Sequence, residues 1–325
     1  MRWPLSRRAS CLPLGQTAFI LLAALANACD RSTPAVARKD TVVPVTPPPE
    51  TTVVAKPEQS TWDSTAGPAL FVVGAAPGEA TIIIPRFTDS TTLDSAEFDL
   101  SRVRSIQVEL FASGKRVGAA RVGAMASPTP ADSCRRWPMA RLEIPASDTA
   151  AAREWAVGFA TGHATAVAVD SIASLPTADS ARLAADIARI ASSLPGDTAT
   201  VFRGLPFVVT NAWRMREPNG QILIAAVVVR NVNQEANPRQ ERILLLAARD
   251  TTVSSPRYVP QYFERITGLE ETVENTELIA MVLLGADRRP TLVVARDAGH
   301  GLSFALIEQI AGKWVHRWSS AYSGC

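Results

Sequence analysis

The residues of this chain best suited to chemistry are its four cysteines, Cys11, Cys29, Cys134 and Cys325. Cys134 is followed directly by two arginines, and adjacent cations favour the thiolate, which is the nucleophilic form of cysteine. A nucleophilic cysteine also needs a general base, and no histidine lies near Cys134 in the sequence. The pattern therefore favours a disulfide at Cys134 over a catalytic thiol.

The three histidines could ligate a metal, but their spacing does not indicate a metal site. His163, His300 and His316 do not pair with another histidine or cysteine at zinc-site spacing. In a predicted strand, alternation puts Trp314, His316 and Trp318 on one face. Such a face can be an exposed ligand platform, although aromatic faces more often belong to a core. The sequence predicts neither a metal nor a cofactor.

Acidic residues are the remaining candidates for catalysis. A hydrolase would need two carboxylates that converge in a pocket, and Asp170, Glu217 and Asp250 are the candidates for such a pair.

Oxygen-bearing side chains alternate over residues 231–237, which would suit a ligand or metal sensor, but the loop lacks the glycine and closing acid of a calcium loop. The sequence contains no Gly-x-Ser-x-Gly, P-loop or dinucleotide-binding motif. It therefore gives no support to a serine hydrolase or a nucleotide-binding enzyme.

The first 28 residues have the pattern of an export signal. Three arginines within the first eight residues precede an apolar run over Leu12–Ala26, and Ala26-Asn27-Ala28 is a small-residue cleavage site. The apolar run is shorter than the roughly 20 residues that span a bilayer. We therefore predict a signal peptide over residues 1–28.

Cys29 directly follows this cleavage site, and the arrangement resembles the lipobox of bacterial lipoproteins, in which the cysteine is acylated. The sequence departs from that family at Ala26, where leucine is preferred, and at Asn27. The resemblance implies lipid at Cys29 and a place in the cell envelope, facing an extracytoplasmic compartment. Cleavage by a general signal peptidase without lipid attachment is the alternative.

The number of cysteines favours lipid attachment at Cys29 over cleavage without lipid. Cys11 leaves with the signal, so lipid at Cys29 leaves Cys134 and Cys325 as an even pair. An even pair in an oxidising compartment indicates a disulfide. Without lipid, one thiol would be left over. We therefore predict a Cys134–Cys325 disulfide.

Residues 29–68 differ in composition from the rest of the chain. They are rich in Thr, Pro and Val, with Pro47-Pro48-Pro49 at the centre. A segment with so few large apolar groups cannot offset its ordering entropy, and proline favours extended conformers. We expect a disordered tether, attached to the membrane by lipid at Cys29.

Short runs of apolar and β-branched residues after the tether predict a mainly β fold. Residues 69–176 form an N-terminal β region, in which Ser113-Gly114-Lys115 is a hairpin turn. Over residues 177–194 the sequence is alanine-rich, with apolar residues at spacings of four, three and four, which predicts one intervening helix. Pro195-Gly196 ends it, and we place a boundary at this helix and connection, residues 177–196.

Residues 197–325 contain an internal repeat. Leu223–Val227 matches Leu278–Val282, and Ala248–Asp250 matches Ala295–Asp297. Each copy of about 50 residues allows four strands, which is blade-like spacing. The eight predicted strands are Phe207–Arg214, Gln221–Arg230, Arg242–Ala248, Tyr258–Ile266, Glu277–Leu284, Thr291–Ala295, Leu302–Ile310 and Lys313–Ser319.

The turn and strand over Ala286–Val294 resemble those of integrin-type (FG-GAP) propeller repeats. Only Asp287 of that family's acidic cluster is present, so the resemblance implies a blade-like unit without implying calcium. Two copies do not close a propeller, which needs at least about four blades. The expected fold class is antiparallel sheets arranged as propeller-like blades, a sandwich or a barrel, with one helix near residues 177–194.

These observations predict an exported, membrane-tethered lipoprotein with a non-enzymatic binding or structural role in the cell envelope. The 33 Lys and Arg include three in the signal, which leaves 30 against 31 Asp and Glu. This balance does not favour nucleic acid as a partner. The expected partners are the membrane, through lipid, and an envelope protein or glycan. The alternative is an exported hydrolase or glycan-processing enzyme with an acid pair.

Overall fold

The computed structural model describes residues 67–74, 76–85, 100–126, 137–148, 151–196, 199–217, 220–232, 238–249, 257–299 and 301–323. All of them belong to one compact unit, Pro57–Cys325. The predicted signal peptide, Cys29 and the predicted tether up to residue 66 lie outside the described residues. The described residues are mainly antiparallel β, which confirms the predicted fold class.

Six strands of the N-terminal region close into a barrel. They are β1 (Leu70–Val73), β2 (Glu79–Ile83), β3 (Gln107–Ala112), β4 (Lys115–Ala126), β5 (Met139–Glu143) and β6 (Val157–Ala160). All pairs are antiparallel, in the order β1-β2-β5-β4-β3-β6, and β6 pairs back to β1. Apolar side chains such as Phe71, Ile82, Leu110 and Leu142 fill the interior. Closure removes the exposed edges that an open sheet would have.

The rest of the chain forms two five-stranded antiparallel sheets. Sheet I has the order β12-β11-β10-β9-β8, and sheet II has the order β16-β15-β14-β13-β7. Their strands are β7 (Ala164–Ala166), β8 (Val169–Ser171), β9 (Val208–Arg216), β10 (Ile222–Val232), β11 (Arg239–Arg249), β12 (Val259–Leu269), β13 (Asn275–Leu284), β14 (Arg289–Asp297), β15 (Leu302–Ile310) and β16 (Lys313–Ser319).

The eight strands predicted for residues 197–325 are confirmed as β9 to β16, with ends that differ by at most three residues. The two copies of the repeat form the two sheets, and the matched segments Leu223–Val227 and Leu278–Val282 lie on β10 and β13. These strands contribute Leu223, Ala225 and Met281 to the apolar layer between the sheets. In the described part of the chain the repeats are therefore two packed sheets beside a barrel.

Both sheets are buried on both faces. Sheet II packs against the barrel through residues such as Val282 and Phe304, and its opposite face packs against sheet I. The outer face of sheet I is covered by a helix. Burial on both faces explains why the central strands are continuous apolar runs rather than alternating ones.

That helix is α2 (Thr177–Ser193), which confirms the predicted element. Leu183, Ile187 and Ile190 face sheet I, and Gly196 follows with φ +117°. A shorter helix, α1 (Ala151–Glu154), precedes β6. Short 3-10 helices lie at Leu100–Val103, Ala146–Asp148, Ile172–Ser174 and Thr200–Phe202.

One segment of the predicted N-terminal region joins the C-terminal sheets. Ala164–Ala166 pairs with β13 in sheet II, and Val169–Ser171 pairs with β9 in sheet I. Strands of three residues carry too little pattern to reveal their partners in advance. The chain therefore crosses from the barrel to both sheets before the helix begins.

Gly114 fixes the contact between this crossing segment and the barrel. It has φ +71° in the predicted β3–β4 turn, and an added Cβ would lie 2.3 Å from the carbonyl oxygen of Val167. We expect Gly114→Ala to lower the free energy of unfolding by about 2–3 kcal/mol, because left-handed strain and backbone overlap add together. Gly312→Ala is the control, since Gly312 has φ +77° with no atom within 4 Å, and should lose about 1 kcal/mol. Urea denaturation measures both; equal losses would contradict this account.

Candidate functional site: a cleft between the barrel and sheet II

An open cleft of about 150 Å³ lies where the start of the barrel meets sheet II. Four parts of the chain form it: the segment before β1, the β6–β7 turn, the β13–β14 turn and β15. Its lining residues are Gly67, Pro68, His163, Leu284, Gly285, Ala286, Asp287, Arg289 and Glu308. The cleft combines apolar groups with two carboxylates, a guanidinium and an imidazole.

The β13–β14 turn holds the polar side of the cleft in place. Gly285 has φ +73° and Arg288 has φ +51°, and the Gly285 N–H donates to the His163 carbonyl at 2.9 Å. The Arg288 guanidinium donates to the Thr165 hydroxyl on β7. The two turns are therefore tied together by the backbone and by a side chain.

Glu308 is the most buried charged group of the cleft, with 6% of its surface exposed. Its carboxylate lies 3.7 Å from Arg289 Nη1 and 3.6 Å from Arg317 Nε. Burial raises the pKa of Glu308, and the two arginines only partly oppose this shift. Asp287 lies at the exposed rim and pairs with Arg289 Nη2 at 2.6 Å.

His163 supplies an uncharged group at neutral pH. Burial lowers the pKa of His163, and the nearby positive charge of Arg288 lowers it further. A neutral imidazole has one nitrogen that donates and one that accepts a hydrogen bond. The cleft thus offers both donors and acceptors.

The raised pKa of Glu308 predicts a pH-dependent stability. Folding favours the protonated carboxyl, so this contribution is full below the unfolded-state pKa and is lost as the pH rises through the folded-state pKa. The free energy of unfolding of the wild type, relative to Glu308→Gln, should therefore fall between about pH 4 and pH 7. Urea denaturation of both proteins across this range measures the difference, and a flat or rising difference would contradict the assignment.

Two of the three candidates for an acid pair, Asp170 and Glu217, are described, and neither lines this cleft. Asp170 on β8 is exposed and pairs with Arg214 at 3.1 Å, whereas Glu217 is buried at the end of β9. Asp250 lies outside the described residues, as do residues 233–237 of the possible sensor loop. Among the described residues, the carboxylates that line this cleft are Asp287 and Glu308, and a pair that involves Asp250 stays a prediction.

The predicted face of Trp314, His316 and Trp318 is divided. A register shift against β15 interrupts the alternation of β16. Trp314 packs between the two sheets and Trp318 packs between sheet II and the barrel. His316 is exposed and lies 2.7 Å from the Ser319 hydroxyl. Both indole rings are therefore core groups rather than an exposed platform.

A second cluster of polar side chains, the Arg296 network, links Tyr322 to residues of both sheets. Arg296 contacts Glu264 at 2.5 Å and Glu274 at 3.6 Å. The Tyr262 hydroxyl donates to Glu264, and the Tyr322 hydroxyl donates to Glu274. Burial raises the pKa of Tyr262, so its phenol remains a donor. Arg296 Nε and Glu274 Oε1 approach only to 3.6 Å and make no hydrogen bond among the described residues, so the network is held by its ion pairs and by the two tyrosine hydroxyls.

Sequence reasoning named only Asp287 among the charged groups of the cleft. A signal for Glu308 was present: it is a carboxylate within the apolar run Leu302–Ile310, at an inward position of a strand buried on both faces. His163 and Arg289 carried no comparable signal, because turns bring them to the cleft from distant parts of the chain.

Within the described residues, no three His, Cys, Asp or Glu side chains cluster as metal ligands would. In the same residues, no helix combines the length and the apolar character that crossing a membrane requires. The predicted cysteines of the site, Cys29, Cys134 and Cys325, lie outside the described residues. Comparisons with known protein families, with curated proteins and with solved structures found no match.

Proposed function

We propose that this chain is an exported lipoprotein, anchored to a bacterial membrane through Cys29, with a non-enzymatic binding role in the cell envelope. The observation that carries the proposal is the order of the N-terminal sequence: positive start, apolar run, small residues and then Cys29. Two acyl chains on one cysteine would give stable anchoring, which a single chain does not.

The position of the cleft supports a binding role close to the tether. Gly67 and Pro68, the last two residues of the predicted tether and the first that the structure describes, line the cleft. A chain arriving from the membrane therefore enters the fold beside this site. The tether would hold the cleft at a distance from the bilayer where an envelope partner can reach it.

The proposed function includes the Cys134–Cys325 disulfide, and one contact supports it. The Trp137 N–H donates to the Ser323 hydroxyl at 3.2 Å, and Ser323 pairs with Leu302 through both backbone groups. Cys134 is three residues from Trp137, and Cys325 is two residues from Ser323. Each residue spans up to about 3.5 Å, so Cα atoms about 5.5 Å apart, as a disulfide needs, are within reach.

Fractionation of cells tests the anchor. Wild-type protein should be found in the membrane fraction and be extracted by detergent, whereas Cys29→Ser should lose the lipid and, once its signal is cleaved, leave that fraction. Cys11→Ser is the matched control, because this cysteine lies within the predicted signal and should not alter anchoring. Membrane attachment that persists in Cys29→Ser would contradict the proposal.

The second candidate is an exported hydrolase or glycan-processing enzyme. The observation that favours it is the raised pKa of Glu308 in a cleft that also holds Asp287, since a general acid needs such a shift. This candidate predicts release of soluble fragments from envelope glycan, with release abolished in Glu308→Gln. Absence of fragments from the wild type would favour the binding role.

A further inference from the structure

The cleft contains a buried acceptor that its neighbours do not satisfy. Glu308 Oε2 has no hydrogen bond among the described residues, and its nearest ion pair is the 3.6 Å contact to Arg317. Charge-assisted hydrogen bonds are shorter, at about 2.7–2.9 Å. Because an unmade hydrogen bond in a buried place is unfavourable, and because Glu308 lines the cleft, its carboxylate is suited to a donor that a ligand brings.

Neither sign of charge dominates around the cleft, where two carboxylates lie near Arg289, Arg317 and, beside His163, Arg288. Asp287 and Glu308 are matched by Arg289 and Arg317, which lie within 2.6–3.7 Å of them, and the lowered pKa of His163 keeps its imidazole neutral. An anion would meet two carboxylates, and a cation would meet the Arg289 guanidinium in the lining, with Arg317 behind Glu308. The mixture of both signs therefore favours a neutral ligand.

The side chains of the cleft favour a ligand that both donates and accepts hydrogen bonds. Hydroxyl groups do so: they can donate to Glu308 and Asp287 and accept from Arg289. Pro68, Leu284 and Ala286 add apolar surface, which suits the C–H face of a sugar ring. The volume of about 150 Å³ fits a single ring, and the open side allows a chain to continue.

We propose that this cleft binds one residue of a neutral saccharide chain, with Glu308 as the main acceptor for its hydroxyls. The inference rests on the proposed binding role and specifies its ligand class. It concerns recognition alone and requires no bond to be broken.

Calorimetric titration of the full mature protein tests this inference. The protein is held in an amine-oxide detergent, because maltoside detergents would compete for the site. The probes are chitotriose and maltotriose, with inorganic phosphate and ethylamine as charged alternatives. We expect at least one of the two saccharides to bind, and both charged probes to show no heat of binding.

Three variants assign the binding to the cleft. Glu308→Gln removes the charged acceptor and should weaken saccharide binding by roughly ten-fold. Ala286→Trp, at an exposed lining position, should block the cleft without disturbing the core. Glu264→Gln is the matched control, since Glu264 also pairs with an arginine but lies outside the cleft, and its affinity should stay at the wild-type value.

Three results would overturn the inference: no binding of either saccharide, binding of phosphate or ethylamine instead, or saccharide binding that survives both cleft variants. None of them bears on the anchor, because fractionation of Cys29→Ser judges that proposal independently.

Discussion

Glu241→Gln should lower the free energy of unfolding by about 3–5 kcal/mol, because it removes the buried carboxylate that pairs with Arg230 and Arg265. Glu241 is fully buried on β11, opposite Arg230 on β10, and is hydrogen-bonded to it. Arg265 on β12 approaches the same carboxylate at 3.6 Å. The melting temperature should fall by roughly 10 °C.

The surroundings of Arg230 explain why this site cannot easily relax. Its guanidinium lies 4.4 Å from the centre of the Phe207 ring and 5.7 Å from that of Phe202. Water therefore has little access to replace the lost carboxylate. Asp186→Asn is the matched control: Asp186 pairs with Arg189 on the exposed face of α2, and such surface pairs contribute at most about 1 kcal/mol. Similar losses in the two variants would contradict the assignment.

Removing the proposed disulfide should have an effect of similar size. Closing a loop of about 190 residues contributes on the order of 4–5 kcal/mol in the chain-entropy model. We expect the double variant Cys134→Ser, Cys325→Ser to melt well below the wild type under oxidising conditions. Adding a reductant to the wild type should produce the same shift.

The same melting experiment can also contradict the proposed disulfide. If the wild type melts at the same temperature with and without reductant, the disulfide is absent or contributes nothing. Alkylation of Cys134 in unreduced, folded protein would show that this thiol is free. Either result would also weaken the argument from cysteine number, on which lipid attachment at Cys29 partly rests.

The strands of the sheets could be predicted from the sequence because their signals are local. Strands β10, β11 and β13 each contain an apolar run, and α2 has helical spacing. Pairing between distant strands has no such local signal. The edge strands Ala164–Ala166 and Val169–Ser171 therefore joined sheets that sequence reasoning had not connected to them.

The candidate site could be predicted only in part, for a related reason. Asp287 was visible as the acidic residue of a turn, whereas His163, Arg289 and Glu308 come together only because the barrel packs against sheet II. Alternation also failed in β16, where one register shift put Trp314 and Trp318 on opposite faces of sheet II. A clearer lesson comes from Glu308: a carboxylate inside a continuous apolar run marks a place where a strand borders a polar site.

The most direct test of the central proposal, a lipid-anchored export product, is the intact mass of protein purified from membranes. We expect a chain that begins at Cys29 and carries the added mass of acyl groups, with two further thiols that become alkylatable only after reduction. A chain that begins at Cys29 without acyl mass, or that retains residues 1–28, would contradict the proposal.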